Sequence, residues 1–169
     1  MESDSRRGTR VANVHDVAAY VLDRKGPMSA MRLQKLVYYS QAWSLVWNDR
    51  PLFPEAILAW AGGPVVYELY KSHRGQFTVS SLPKGSPKNL TDDEKAVIQA
   101  VLDSYGLLDG PALSRLTHSE RPWREARGTL APGERGTTEI SLESIQAYYQ
   151  AVDEDDEAVQ VKDLAEIPA

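Results

Sequence analysis

The sequence predicts a mainly α-helical domain with a small β element, an α+β class in which about six to seven helices and two or three short strands surround one central buried helix. Three observations carry this. Most of the chain repeats apolar residues at helical spacing between cap residues and Gly/Pro stops. One segment, from Ser29 to about Asn48, is apolar nearly all round. One apolar run, Ala56 to Ala61, is too short for an ordinary helix and ends at glycines.

Taken in order, Met1 to Arg10 are polar without period and are expected to fray. Asn13 caps a first helix whose Val14, Val17, Ala18, Val21 and Leu22 share a face, and Gly26-Pro27 stops it. Ser29 caps the second, with its main stripe at Leu33, Leu36, Val37, Ser40, Trp43 and Trp47. Tyr38, Tyr39, Leu45 and Val46 lie on its other sides, so this helix is expected at the centre. Ala56–Ala61 reads as a short strand. Gly62-Gly63-Pro64 then reads as a strand-to-helix corner: glycine frees the backbone and proline suits a first helical turn, with helix expected from Val65 to Arg74 and Gly75 as its stop. Phe77 to Leu82 alternates like an edge strand, and Pro83 to Pro87 is a loop.

Thr91 and Glu94 form a capping box for a helix burying Val97, Ile98, Val101, Leu102 and Tyr105, ended at Gly106. Asp109-Gly110-Pro111 opens a short helix with Leu113 and Leu116. Ser119 is the expected cap of the helix containing Trp123, which places Pro122 at the third helical position. A loop runs from Gly128 to Gly136, and Ser141 caps a last helix whose Leu142, Ile145, Tyr148, Tyr149 and Val152 are expected to face inward. Residues 1–11 are assigned to a flexible N-terminus, 12–152 to the domain and 153–169 to an acidic tail that begins DEDDE.

Composition narrows the functional classes. The 169 residues hold no cysteine, which removes disulfides and thiolate metal sites and fits a cytoplasmic setting. No stretch approaches a membrane span of about 20 apolar residues, and the start, MESDSRRGTR, has arginines but no apolar core of a secretory signal. A net charge of −5 argues against a nucleic-acid partner, which would select a basic face. His15, His73 and His118 are scattered and no HExxH spacing occurs, so no metal ligands are assigned. No G-x-S-x-G elbow and no phosphate loop are present, since Val65-Val66-Tyr67 follows the glycines where Lys and Ser/Thr would be needed. Asp92, Asp93 and Glu94 complement a helix dipole. No catalytic residue and no cofactor are therefore assigned.

Three segments in order carry a family resemblance: LQKLVYYSQAWSLVWNDRPLF from Leu33 to Phe53, AILAWAGGPVVYELY from Ala56 to Tyr70, and LSRLTHSERPWREAR from Leu113 to Arg127. With these the chain resembles the Panacea domain of SocA-like antitoxins and related phage-associated bacterial proteins, over roughly Val14 to Val152. The resemblance implies a mostly helical fold with a small β element. It implies an antitoxin of a two-gene operon that neutralises a toxin encoded nearby through direct protein contact. In one branch it implies an adaptor that delivers the toxin to an ATP-dependent protease. A small hydrolase, or a DNA-binding regulator of the operon, are the alternatives from other classes. The acidic tail departs from the family pattern.

Within the matching segments, Trp43, Trp60, Gly63, Pro64, Val65, Thr117, His118, Pro122, Trp123 and Arg127 are read as mainly structural. An aromatic ring left at the surface would be the natural anchor for a partner, and Tyr38 and Tyr67 are the candidates. Arg124 and Arg127, three apart on one helix face, are the candidates for holding an acidic partner or a local Glu.

Overall fold

Every residue from Leu33 to Leu45 is buried, including Gln34, Lys35, Ser40, Gln41 and Ser44. The computed structural model describes residues 12–155, and this stretch is the middle of its longest helix. In chain order the elements are α1 (Val14–Lys25), β1 (Met28–Ser29), α2 (Ala30–Trp47), β2 (Ile57–Trp60), β3 (Gly63–Val66), α3 (Tyr67–His73), β4 (Thr78–Val79), a 3-10 turn (Pro87–Asn89), α4 (Asp92–Tyr105), α5 (Gly110–His118), α6 (Arg121–Arg127) and α7 (Leu142–Glu154). Helix α2 packs against α1, α4, α5, α7 and strand β3, and so forms the axis of the domain. The class is mainly α with a small β element, as the apolar patterning predicts.

Local chemistry explains most boundaries. Asn13 with Asp16, and Thr91 with Glu94, form reciprocal capping boxes, and Ser29, Asp109 and Ser141 accept from the backbone N–H three residues on. Asp16 also accepts from the Ser86 N–H and the Asn89 amide, which ties the loop after β4 to the start of α1. The polar residues of α2 act as backbone receptors. The Gln34 amide accepts from the Val66 N–H and donates to the Val66 carbonyl, as a neighbouring strand would. Two turns further on, Gln41 accepts from the Leu52 and Phe53 N–H groups and donates to the Phe53 carbonyl. Two glutamines thus satisfy buried backbone that no sheet reaches.

The glycine segment is a hairpin, which corrects the corner expected from sequence. Ala61-Gly62 turns the chain, and β2 and β3 pair antiparallel with Trp60 opposite Gly63, Ala59 opposite Pro64, Leu58 opposite Val65 and Ile57 opposite Val66. Gly63, Pro64 and Val65 therefore lie in a strand, and helix begins only at Tyr67. The physical reason is the outer edges: Val66 is held by Gln34, while Ala59 and Ile57 bond to Thr138 and Ile140, so extended backbone is satisfied on both sides. The other ribbon pairs β1 with β4.

Three smaller expectations also change. Helix α6 is capped at Glu120 rather than Ser119, and Ser119 instead ends α5. The Glu120 side chain makes no cap bond, because its carboxylate is taken by two buried tyrosines described below. Leu142 and Trp47 are exposed at 39% and 46%; Trp47 stacks on Trp43 and donates to Asp153 at the end of α7 instead of entering the core. Helix α7 continues through Asp153 and Glu154, residues that sequence assigns to the tail; 1–11 and 156–169 lie outside the described residues.

Gly63 is the tightest point of the hairpin. Its φ is +125°, and a methyl group there would sit 2.5 Å from Lys35 Cε and 3.0 Å from Thr117 Oγ1. Gly63→Ala is expected to lower unfolding stability by more than about 2 kcal/mol, combining backbone strain with overpacking; urea denaturation measures it.

Candidate functional site

The three sequence segments meet at the hairpin. From α2 comes Lys35, whose Cε and Nζ lie over Gly63. From α5 come Thr117, against the same glycine, and Ser114, whose hydroxyl donates to the Gly62 carbonyl at 2.6 Å. From α6, Trp123 Nε1 donates to the Trp60 carbonyl at 2.8 Å, and Arg127 donates to Ala59, Ala131 and Glu134 carbonyls. His118 stacks flat on Trp123, with ring centroids 4.0 Å apart. The hairpin is thus clamped from three helices, and its turn is presented at the surface.

Beside it lies a groove of about 850 Å³, lined by Leu58, Trp60, Tyr67, Tyr70, Arg74 and Arg135 among others. Trp60 meets Tyr70 edge-on at 5.0 Å and Tyr67 lies 5.9 Å from Tyr70, so three rings form one wall. Arg74 lies over the Tyr70 ring at 5.4 Å and donates to the Tyr67 hydroxyl at 3.1 Å, which fixes the wall's polar edge. A smaller cavity of about 170 Å³ shares Trp60, Gly62 and Tyr70 with the groove and adds Lys35 and His73. A third, of about 420 Å³, is lined by His118, Trp123, Arg124 and Arg127 among others. Among the described residues no Asp or Glu lines any of the three, although the whole chain carries a net charge of −5.

Electrostatics follow from burial. Burial lowers the Lys35 ammonium to about 8, with no opposing carboxylate. Burial, then the positive charge of Lys35, lowers His118; burial also lowers His73, with Lys35 adding to it. These imidazoles are therefore held toward the neutral form. Among the described residues Trp60 Nε1 is buried without a hydrogen-bond partner.

A family model described as "Antitoxin SocA-like, Panacea domain" matches residues 33–124, just over half of the chain. The chain belongs to this family. No curated protein and no solved structure matches it.

The Panacea match contains four of the five clamping residues, Lys35, Ser114, Thr117 and Trp123, and the aromatic wall, and it ends at Arg124, before Arg127 and the loop that supplies Arg135. Of the residues that sequence offers as partner contacts, Tyr67 lines the groove at 36% exposure. Arg124 is exposed beside His118 and Trp123 and donates to the Ser119 carbonyl. Tyr38 is a correction: at 1% exposure it is bonded to Tyr149 in the core and offers no surface. Arg127 is another: at 6% exposure its guanidinium is committed to three carbonyls, so Arg124 and Arg127 do not act as a pair. Trp43 is buried and donates to the Tyr105 hydroxyl; Val65, Thr117 and Pro122 are buried, and Trp123 is half-buried against the hairpin.

Sequence reasoning overlooked Lys35, Arg74 and Arg135 as site residues. For Lys35 a signal existed: a cation in a helix that is apolar nearly all round must be buried somewhere. Arg135 sits in a loop and had none. Among the described residues no group of three or more His, Asp or Glu side chains is placed to hold a metal ion, and no helix is long and apolar enough to cross a membrane.

Proposed function

We propose that this Panacea protein is the antitoxin of a two-gene toxin–antitoxin pair, neutralising its toxin by direct contact and without catalytic chemistry of its own. The observation that carries the reading is the groove: three aromatic rings, Arg74 and Arg135, and no lining carboxylate among the described residues, on an acidic protein. Aromatic rings and arginines are the side chains that dominate binding energy at protein interfaces, and a positive concavity draws an acidic segment of a partner. The wall formed by Trp60, Tyr67 and Tyr70 lies within the family segment, while Arg135 lies beyond it. The 128–137 loop lies outside the matched segment, and selectivity for this chain's own partner would reside there.

The test is co-expression with the neighbouring gene. Growth should be restored when that product is toxic, and the two chains should purify as one complex. Toxicity that persists, together with no complex, would remove the reading.

A further inference from the structure

Lys35 is a buried cation with nothing to neutralise it. It is 2% exposed, and among the described residues it makes no ion pair and no hydrogen bond; its alkyl chain rests on Gly63. An isolated charge in such a place is strongly disfavoured and is ordinarily paired. The residues around it could have supplied a partner and do not: Gln34 is committed to Val66 and His73, and Thr117 donates to the Ser114 carbonyl. Lys35 nevertheless lines the cavity of about 170 Å³, which shares Trp60, Gly62 and Tyr70 with the groove. The cavity is lined by Lys35, by the apolar side chains of Val65 and Met31, and by the Trp60 and Tyr70 rings. That is room for one short side chain ending in an anion.

We infer that the Lys35 cavity is a carboxylate-binding subsite, which receives a glutamate or aspartate side chain of the partner protein entering between Trp60 and Tyr70. The missing counter-ion is then supplied by the partner, and the complex forms a buried ion pair that neither chain has alone. This rests on the proposed antitoxin reading for the identity of the partner, but not for the chemistry of the cavity. A protein side chain is favoured over a free anion because the cavity opens onto a groove several times its volume, with Arg74 and Arg135 lining it beyond the aromatic join.

Two arms test it on the full chain. In the first, N-acetyl-glutamate N-methylamide and its glutamine analogue are titrated while the Lys35 Nζ resonance and tryptophan fluorescence are followed. The glutamate probe should bind and the glutamine analogue should not. Lys35→Met should abolish the response and Lys35→Arg retain part of it. Equal response to both probes, no response to either, or much tighter binding of free glutarate than of the capped probe would overturn the inference, the last by making this a small-metabolite site. In the second arm, Lys35→Met should weaken binding of the neighbouring gene's product by at least about 30-fold, as expected when one member of a buried charge pair is removed. Its melting temperature should stay level or rise, because a buried unpaired charge has gone. A fall in melting temperature with unchanged binding would show a merely structural lysine. If the wild type binds no neighbouring product, the antitoxin reading fails while the probe arm still decides the subsite.

Discussion

Glu120→Ala is expected to be the most destabilising single change in this protein. The carboxylate is buried, and one oxygen accepts from Tyr39 at 2.7 Å and from Tyr149 at 2.6 Å. Around it, Tyr39 stacks on Tyr105 at 4.2 Å and Tyr149 touches Tyr38, Tyr39 and Trp43. Removing the acceptor orphans the Tyr39 hydroxyl, at roughly 1–3 kcal/mol for a group left unpaired, leaves Tyr149 with its Tyr38 bond alone, and opens a cavity between α2, α6 and α7. Glu120→Gln keeps an acceptor in place and should be tolerated. The same carboxyl makes stability depend on pH. Burial raises it from 4.5 to about 7, against the opposing bonds from Tyr149 and Tyr39. A carboxyl raised in the folded state stabilises fully below its unfolded value, and that contribution is lost as pH rises toward the folded value. Between pH 4.5 and pH 7 the wild type should therefore lose about 3 kcal/mol relative to Glu120→Gln. Guanidinium unfolding of both proteins across that range measures it, and parallel profiles would contradict it.

Tyr67→Ala is expected to weaken partner binding by about 2 kcal/mol or more, the scale of an aromatic hot spot, with little effect on folding. Tyr67 is exposed and among the described residues its hydroxyl receives only the Arg74 bond, so the fold loses little. The groove loses the outer ring of its wall and the fixed position of Arg74. Arg74→Glu should act differently. It reverses a charge at the rim, so association should slow and its salt dependence flatten, while dissociation changes less. Stopped-flow association at two ionic strengths separates the two effects. Equal rates for all three proteins would place the interface elsewhere.

The scaffold was legible because its signals are local. Asn13, Ser29, Thr91, Asp109 and Ser141 announce their helices, and the faces of α1 and α4 are spaced as they pack. The errors arose where a distant contact decides between local options. Gly62-Gly63-Pro64 suits a corner as well as a hairpin until Gln34 and residues 138–140 are seen to take the strand edges. Ser119 is a better cap than Glu120 on intrinsic preference, but Tyr39 and Tyr149 claim the glutamate across the core. The site divides the same way. Tyr67 and Tyr38 are both offered by the sequence as rings left at the surface; Tyr67 is one, whereas Tyr38 is buried, because α2 is covered on every side. Arg74 and Arg135 become partners only when the 128–137 loop folds against the hairpin, which no spacing in the sequence reveals.

Hydrogen–deuterium exchange on the protein alone and in complex with the neighbouring gene's product tests the central claim most directly. Binding in the groove predicts new protection over residues 57–74 and over the 128–137 loop, with α4 unchanged. Protection confined to α4, or no change at the hairpin on complex formation, would contradict it.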